Sequence, residues 1–439
     1  MFHNDYIRLS LNLKDPNITF AEKACVEQKI KGVTATLYFA TLTYTPSHCK
    51  CCDRENTDFL LVKNGFLTSR VKWLHLANRP AYIELKKQRF LCRKCKRTFV
   101  AQSEEVAPSC FIANKVKQSL AIELGDAISL KDLSRRHNVS PTTAERILTQ
   151  LGAAFKVDYT YLPPNLSLDE FKSVKNVVGK MSFIYCNSVT HEIIDILPDR
   201  RLNGLKEYFS RFSLEARQQV KTIVVDMNAA YFTLACELFP NAEVIIDRFH
   251  VVQLISRSLN QTRIQIMKQF FGSNASKMKD YRKLKNYWRL MLKCSTELDF
   301  QTYNYQRLFK KPLPETEIID YLVSLDPVLK ATYTTYQELL YYSKNNDFQG
   351  FKETVTQANS EVSNVMLTSL KTLKKHLSRI KNTFQYSYSN GPLEGSINKI
   401  KVIKRIAYGY RNFSNFKHRI LISFKVTQKS NFTISDEAA

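Results

Sequence analysis

Nowhere in this chain of 439 residues does an apolar run approach the roughly 18 residues that a membrane-crossing helix needs. The longest, such as Ile223–Val225 and Val244–Ile246, are of strand length. A helical membrane span is therefore excluded, and a soluble protein is expected. Glycine and proline are scarce, at 11 and 13, and no low-complexity tract occurs, which excludes long flexible linkers and points to continuous folded structure. Only the tail after about Lys429 reads as loose. The opening Met1, Phe2, His3 and Asn4 lack the basic-then-apolar pattern of a secretory leader, so the ten cysteines are expected in a reducing, cytoplasmic setting, where metal ligation is favoured over disulfides. Acid is also short: 40 aspartates and glutamates face 65 lysines and arginines, leaving a formal charge of +25. Such an excess calls for a polyanionic partner, nucleic acid first among them.

The length implies three or four modules. In the first forty residues the pattern suggests a helix near Phe20–Ile30 and an extended segment at Thr34–Tyr44. Two C-x2-C pairs follow, Cys49 with Cys52 and Cys92 with Cys95, around β-rich sequence at Val71–Leu76 and Ala81–Leu85. Each pair can place two thiolates on one knuckle, and four sulfurs complete the closed tetrahedral shell of a structural zinc site. His48, Cys51 and His75 lie close enough in sequence to leave the ligand set open. Cys25, Cys110, Cys186, Cys236 and Cys294 are scattered and read as core residues.

Between Asn114 and Leu151 apolar residues fall at helical spacing, and two short helices meet at a polar break around Asn138–Ser140. Ser140 can cap the second helix and Pro141 suits its first turn. Thr142, Thr143, Glu145 and Arg146 would then face outward, as on a recognition helix in a major groove. An ordinary helical hairpin has the same silhouette.

Past Pro163 and Pro164 the chain turns strand-rich: Asn165–Asp169, Met181–Cys186, Glu192–Leu197, Thr222–Asp226 and Glu243–Asp247, with helices at Leu202–Phe209 and Ala229–Phe239. This predicts a mixed α/β sheet. From about Val251 to Ile380 the sequence is helical and basic, interrupted near Lys311–Pro314. Asp169 closes LSLD, Asp226 closes IVVD, and Glu394 follows the turn sequence Ser389-Asn390-Gly391-Pro392. Three converging carboxylates repel unless divalent cations hold them together. Asp195, Asp199 and Asp247 are rival acids of similar placement, and Asp199 beside Arg200 and Arg201 reads better as a salt bridge.

The order of cysteine pairs, helical pair, LSLDEF, VVDMN, IIDRFHVVQ and NGPLEGSINKIKVIKRIAYGYRNFSNFKHRI closely resembles the DDE transposases of the bacterial ISL3 insertion-sequence family, over almost the entire chain. The resemblance implies an RNase H-like core in which Asp169, Asp226 and Glu394 hold two magnesium or manganese ions. It implies a helical insertion between the second and third acids, and a supporting role for Asp247 and His250, whose D-x-x-H pattern also fits a packed strand end. It further implies DNA partners, namely the element's terminal inverted repeats and target DNA, a homo-oligomer for synapsis, no membrane, and a nucleoid-associated location. After Glu394, seven residues are nearly two helical turns, so Lys401 shares its face. Lys399, Lys404, Arg405, Arg411, Lys417 and Arg419 add charge, and Tyr408, Tyr410, Phe413 and Phe416 either stack on unpaired bases or fill a core.

The expected organisation is an N-terminal segment (1–45), a zinc-binding β unit (46–105), a DNA-binding helix-turn-helix (110–160), the first part of the catalytic core (161–254), the helical insertion (255–380), the C-terminal helical part of the core with Glu394 (381–428) and a flexible tail (429–439). The expected activity is metal-dependent cleavage and strand transfer at the repeats. A DNA-binding regulator with the same N-terminal modules gains little from clustered acids beside phosphate. A structure-selective nuclease would share the core, but would not join a 3′-hydroxyl end to a second duplex.

Overall fold

A computed structural model describes residues 2–357 and 361–425; the tail read as loose lies outside the described residues. The chain divides into two compact units, the first formed by Met1–Lys156, Val174–Asn176 and the chain from Asn398, the second by Val157–Ser173 and Val177–Ile397. Among the described residues no helix is long and apolar enough to cross a membrane.

The first unit opens with helix α1 (Phe2–Ser10) and strands β1 (Ile18–Ile30), β2 (Val33–Leu42), β3 (Leu61–Leu76), β4 (Arg79–Cys92) and β5 (Thr98–Val100). The sheet order is β1-β2-β4-β3, with β5 also on β4. The helix expected near Phe20–Ile30 is instead β1. Its alternation is broken by a register shift between Phe20 and Cys25 against β2, and a bulge that resets the buried face leaves apolar residues at spacings that mimic a helix. Trp73 closes this core, its indole N–H donating to the carbonyl of Leu11 at 2.9 Å.

Three helices follow, α2 (Asn114–Glu123), α3 (Leu130–Arg136) and α4 (Pro141–Ala153), and the last two meet at the polar break as expected. The Ser129 hydroxyl caps α3 by accepting from Asp132 N–H, and the Ser140 hydroxyl caps α4 from Thr143 N–H, each at 3.1 Å. Asn138, between α3 and α4, takes a left-handed φ of 51°, a conformation asparagine tolerates. Its amide donates to the Tyr82 hydroxyl at 2.6 Å and its carbonyl accepts from Lys72 Nζ at 2.6 Å, so the turn is pinned to the sheet.

The second unit begins with β6 (Asn165–Lys172), β7 (Met181–Asn187), β8 (Ile193–Leu197), α5 (Leu202–Phe209), α6 (Leu214–Gln218), β9 (Thr222–Val225), α7 (Ala229–Leu238) and β10 (Glu243–Ile246). The sheet order is β10-β9-β6-β7-β8. The first three strands are an antiparallel meander, and β9 and β10 join in parallel on the other side of β6. The expected mixed α/β sheet is thus present. Every residue of β9 and every residue of β10 but Glu243 is buried, as suits parallel strands covered on both faces.

Helices α8 (Arg248–Gln269), α9 (Ala275–Asn286) and α10 (Trp288–Met291) precede a two-stranded ribbon, β11 (Asn304–Gln306) and β12 (Lys311–Leu313), at the interruption noted in the sequence. Then come α11 (Glu315–Ser324), α12 (Pro327–Lys344), α13 (Phe348–Thr356), α14 (Asn364–Lys375) and α15 (Leu377–Gln385). One continuous apolar core joins sheet residues Ile223, Val225 and Ile246 to Ile255, Leu339 and Leu370 of these helices. On α15, Asn382 Nδ2 donates to the Val244 carbonyl at 2.9 Å and Thr383 Oγ1 to that of Ile246 at 2.6 Å. The outer edge of β10 is satisfied by side chains where no further strand pairs.

Helix α16 spans Gly391–Ile406, and in the first unit α17 (Phe413–Lys425) packs against α4. Arg419 of α17 is buried and donates to the carbonyls of Asp126 and Ile128 at 2.7 and 2.8 Å. It is a structural cation rather than part of a charged DNA-facing stripe. Gly152 meets the His418 ring so closely that a Cβ would overlap it. Gly152→Ala should therefore destabilise the first unit by about 2 kcal/mol, overpacking outweighing alanine's better helix propensity. Urea denaturation checks this, and a stabilised variant would contradict it.

Candidate functional site

The two C-x2-C knuckles meet in the first unit. The Sγ atoms of Cys49, Cys52, Cys92 and Cys95 all lie within 4.8 Å of one another, with Cys49 to Cys95 at 3.8 Å and Cys52 to Cys92 at 3.9 Å. A tetrahedron with metal–sulfur bonds of roughly 2.3 Å has edges of about 3.8 Å. The cluster is compatible with a zinc ion and forms a closed shell of four thiols. The alternatives fall away from it: Cys51 is exposed, its backbone N–H donating to Cys49 Sγ at 3.4 Å, and the exposed His48 ring pairs with Ser47 at 3.1 Å. Burial, and then the charge of His137, hold the His75 imidazole below its ordinary pKa.

In the second unit Asp226 and Asp247 stand at the carboxyl ends of β9 and β10, beside Asp169 within β6, which runs on to Lys172 rather than ending at Asp169. Asp169 is in β6 and Asp226 directly follows β9. Asp247 caps α8 directly after β10, and His250 lies in the first turn of α8. Ligand atoms of Asp226, Asp247 and His250 lie within 4.8 Å of one another, and His250 Nε2 is 2.7 Å from Asp226 Oδ1. Burial, and then repulsion from Asp226, push the Asp169 carboxyl up to about 7. Burial is also the first cause raising Asp247, with Asp226 adding to it, while the bond to Asp226 raises His250. Burial first and mutual repulsion second thus raise these carboxyls, His250 offsetting part of the effect, and hard carboxylate oxygens are the donors that magnesium and manganese take.

Glu394 is exposed on the first turn of α16. The turn before it is tied to the same strand ends through Asn390. Asn390 Nδ2 donates to the Leu168 carbonyl at 3.0 Å, its backbone N–H faces the Asp247 carboxylate, and its carbonyl accepts the first helical bond from Glu394 N–H at 2.8 Å. Sequence reading treats Asn390 only as part of a cap. Its burial beside a Gly-Pro turn is the signal that it anchors the helix. Of the rival acids, Asp247 joins the cluster and the other two are occupied elsewhere. Asp195 is buried and accepts from the Tyr208 hydroxyl at 2.9 Å, and Asp199 pairs with Arg201 at 2.7 Å as expected.

The raised Asp169 and His250 have a consequence for stability. A carboxyl whose folded pKa lies above its ordinary value of 3.8 contributes stability at low pH that is lost as pH rises through the folded value. In metal-free protein, wild type should lose stability relative to Asp169→Asn between pH 4 and pH 7. His250 acts in the same direction above 6.5. Thermal unfolding in a chelator checks this, and a parallel pair of pH profiles would contradict it.

A family model described as a transposase, of the ISL3 group of DDE enzymes, matches residues 166–420, from the start of β6 through Glu394 and into α17. That is more than half of the chain, and it includes all three acids. The chain belongs to this transposase family. Among curated proteins, the transposase-family chain is 25% identical over 264 residues to the transposase for insertion sequence element IS1001 of Bordetella parapertussis, covering 59% of this chain and 60% of that protein. It is also 46% identical over 125 residues to a Lactococcus lactis subsp. lactis protein named ATP-dependent protease, covering 27% of this chain and 38% of that protein. The chain thus spans less than two thirds of the length of either relative. It contains no Gly-Lys-Ser/Thr phosphate loop: Gly179 alone is followed by lysine, and Met181 comes next.

The basic residues of this family member fall in several settings. Thr142 and Arg146 are exposed on α4, whereas Thr143 is half-buried with its hydroxyl 2.8 Å from that of Ser140. Glu145, beside them, bonds to Asn415 of α17, so this face of α4 is shared with α17. Lys399 Nζ donates to the Ser423 carbonyl at 2.8 Å and lies over the Phe424 ring. Lys401, Arg405 and Arg411 are exposed and Lys404 is half-buried. Of the aromatics, Phe416 is core, packed on Tyr410 at 4.8 Å between ring centroids, while Tyr408 is 98% exposed.

Proposed function

We propose that this chain is the transposase of an insertion sequence, which binds the element's terminal inverted repeats and cuts and joins DNA by a DDE mechanism. The observation that carries the reading is the gathering of Asp226, Asp247 and His250 at the ends of β9 and β10, beside Asp169 in β6, whose carboxyl Asp226 raises, with α16 tied to β6 through Asn390. A sheet in which a three-stranded meander is extended by two parallel strands supports an RNase H-like core. Asp169, Asp226 and Glu394 would hold two magnesium or manganese ions. Bound there, such a pair supplies Lewis-acid stabilisation to the attacking and leaving oxygens of an in-line phosphoryl transfer.

The chain's own residues do the rest. Asp247 caps α8 and, with His250, orients Asp226. Water attacks the phosphodiester at the element's end and releases a 3′-hydroxyl. That hydroxyl then attacks a target phosphodiester, so one P–O bond forms as another breaks. The four-cysteine cluster holds a structural zinc ion, and the α3–α4 pair acts as a helix-turn-helix, presenting Thr142, Thr143 and Arg146 to the repeats. Lys399, Lys401, Lys404, Arg405 and Arg411 bind phosphate along and beyond α16. For the modules we propose the boundaries expected from sequence, except that α17 packs with α4 in the first unit; the protein works as a homo-oligomer that pairs two ends, and it resides with the nucleoid.

The test is incubation of the protein with labelled duplex carrying the inverted repeats that flank its coding sequence, with magnesium or manganese. Nicks at the repeat ends and joining to a second duplex are expected. Tight repeat binding with no cutting under either cation would favour a regulator.

A further inference from the structure

We infer that the β11–β12 ribbon is a second DNA contact, one that grips an unpaired strand. Within a stretch of helices, this ribbon is held rigidly from beneath. Leu313 is buried, the Phe309 ring packs on Tyr287 and Tyr321 at 5.7 and 5.1 Å, and the Tyr287 hydroxyl donates to Gln306 at 3.0 Å. Because Asn304 is opposite Leu313 and Tyr305 opposite Pro312, the alternation of strand faces sends Tyr303 and Tyr305 to the side away from Leu313. They are 61% and 68% exposed, and Phe300 just before them is 66% exposed. Burying none of these rings forgoes apolar burial that the core beneath could have used.

The charge around the rings names the occupant. From Phe300 to Leu313 there is no acidic residue, while Arg307, Lys310 and Lys311 are exposed. A cavity of about 480 Å³ beside the ribbon is lined by Lys279, Lys310 and Lys311, with Glu317 and Asp320 also facing it. Glu317 accepts from the Tyr303 hydroxyl at 3.3 Å, which fixes the ring without covering its face. Lys311, opposite Gln306, lies on the Leu313 side, so the fit is to a strand whose bases stack on the ring face while its phosphates pass over the hairpin turn at the exposed Arg307 and Lys310. A paired duplex hides its base faces, so the fit is to unpaired DNA. The inference rests on the transposase reading for the source of such a strand, the end opened for cutting.

The test uses the full chain and a fluorescent oligothymidine of about a dozen residues, which carries no repeat sequence and needs no cleavage. Its failure is therefore separate from a failure to cut repeat ends. The double variant Tyr303→Ala, Tyr305→Ala should bind at least about tenfold more weakly, and Tyr303→Phe, Tyr305→Phe within about twofold of wild type. Arg307→Glu, Lys310→Glu keeps the rings and should lower the salt slope of binding by about one or two. Photocrosslinks should map to residues 300–313. Alanine variants that bind like wild type would overturn the proposal. So would a loss of binding accompanied by dissociation of a dimer in sedimentation, which would make the ribbon a contact between copies.

Discussion

Replacing Asp226 by asparagine is expected to reduce strand cleavage on the order of a thousandfold while leaving repeat binding nearly unchanged. Asp226 stands directly after a fully buried strand and faces His250 at 2.7 Å. An amide oxygen in the same place can still accept from that imidazole, so the fold has no reason to fail. What disappears is the charge. Repulsion from Asp226 is the second cause of the raised Asp169 carboxyl, so its loss lets Asp169 ionise at lower pH, and the metal-free variant should melt no earlier than wild type. An inactive variant that also unfolds early would instead assign Asp226 a structural role. The readouts are cleavage under single-turnover conditions, repeat binding by anisotropy, and the melting midpoint in a chelator.

The second large effect concerns zinc. With four thiols already at tetrahedral spacing, one zinc ion per chain is expected by elemental analysis. Its removal, or Cys92→Ser, should lower the melting midpoint of the first unit by more than about 10 °C, because metal binding free energy is folding free energy in such sites. Cys92 pairs with Leu61 at the base of β3 and β4, so loosening the cluster frays the sheet that pins the turn at Asn138. Cys51→Ser is the control. Its exposed thiol lies outside the cluster, and the variant should retain zinc and stability. Equal zinc loss from both variants would move the ligand set.

Much of this was legible in the sequence because local signals agreed with tertiary ones. Helix α5 has the expected bounds Leu202–Phe209, and the five strands of the second unit begin within a residue of where the apolar runs begin. Ser140 and Pro141 open α4 as their chemistry predicts. The failures share a cause, which is that long-range pairing decided the outcome. Strand β1 has a bulge that only its partner reveals. Arg419 reads as a surface charge, and Phe416 as either a stacking ring or core, until α17 is seen packed against α4. Among the acids, spacing could not separate Asp195 from Asp226. The difference is that Tyr208 satisfies Asp195 in a closed core, whereas Asp226 meets Asp247 and His250 at a partly open strand end.

Glu394 is where the account is most exposed to test, since its helix is tethered to the strand ends by Asn390 while its side chain faces outward. The most direct measurement is joining of a supplied repeat end with a free 3′-hydroxyl into a plasmid, with magnesium or manganese, by wild type and by Glu394→Gln at matched DNA occupancy. The account predicts joined product with wild type, and none with Glu394→Gln despite equal binding. Joining by Glu394→Gln at the wild-type rate would contradict it.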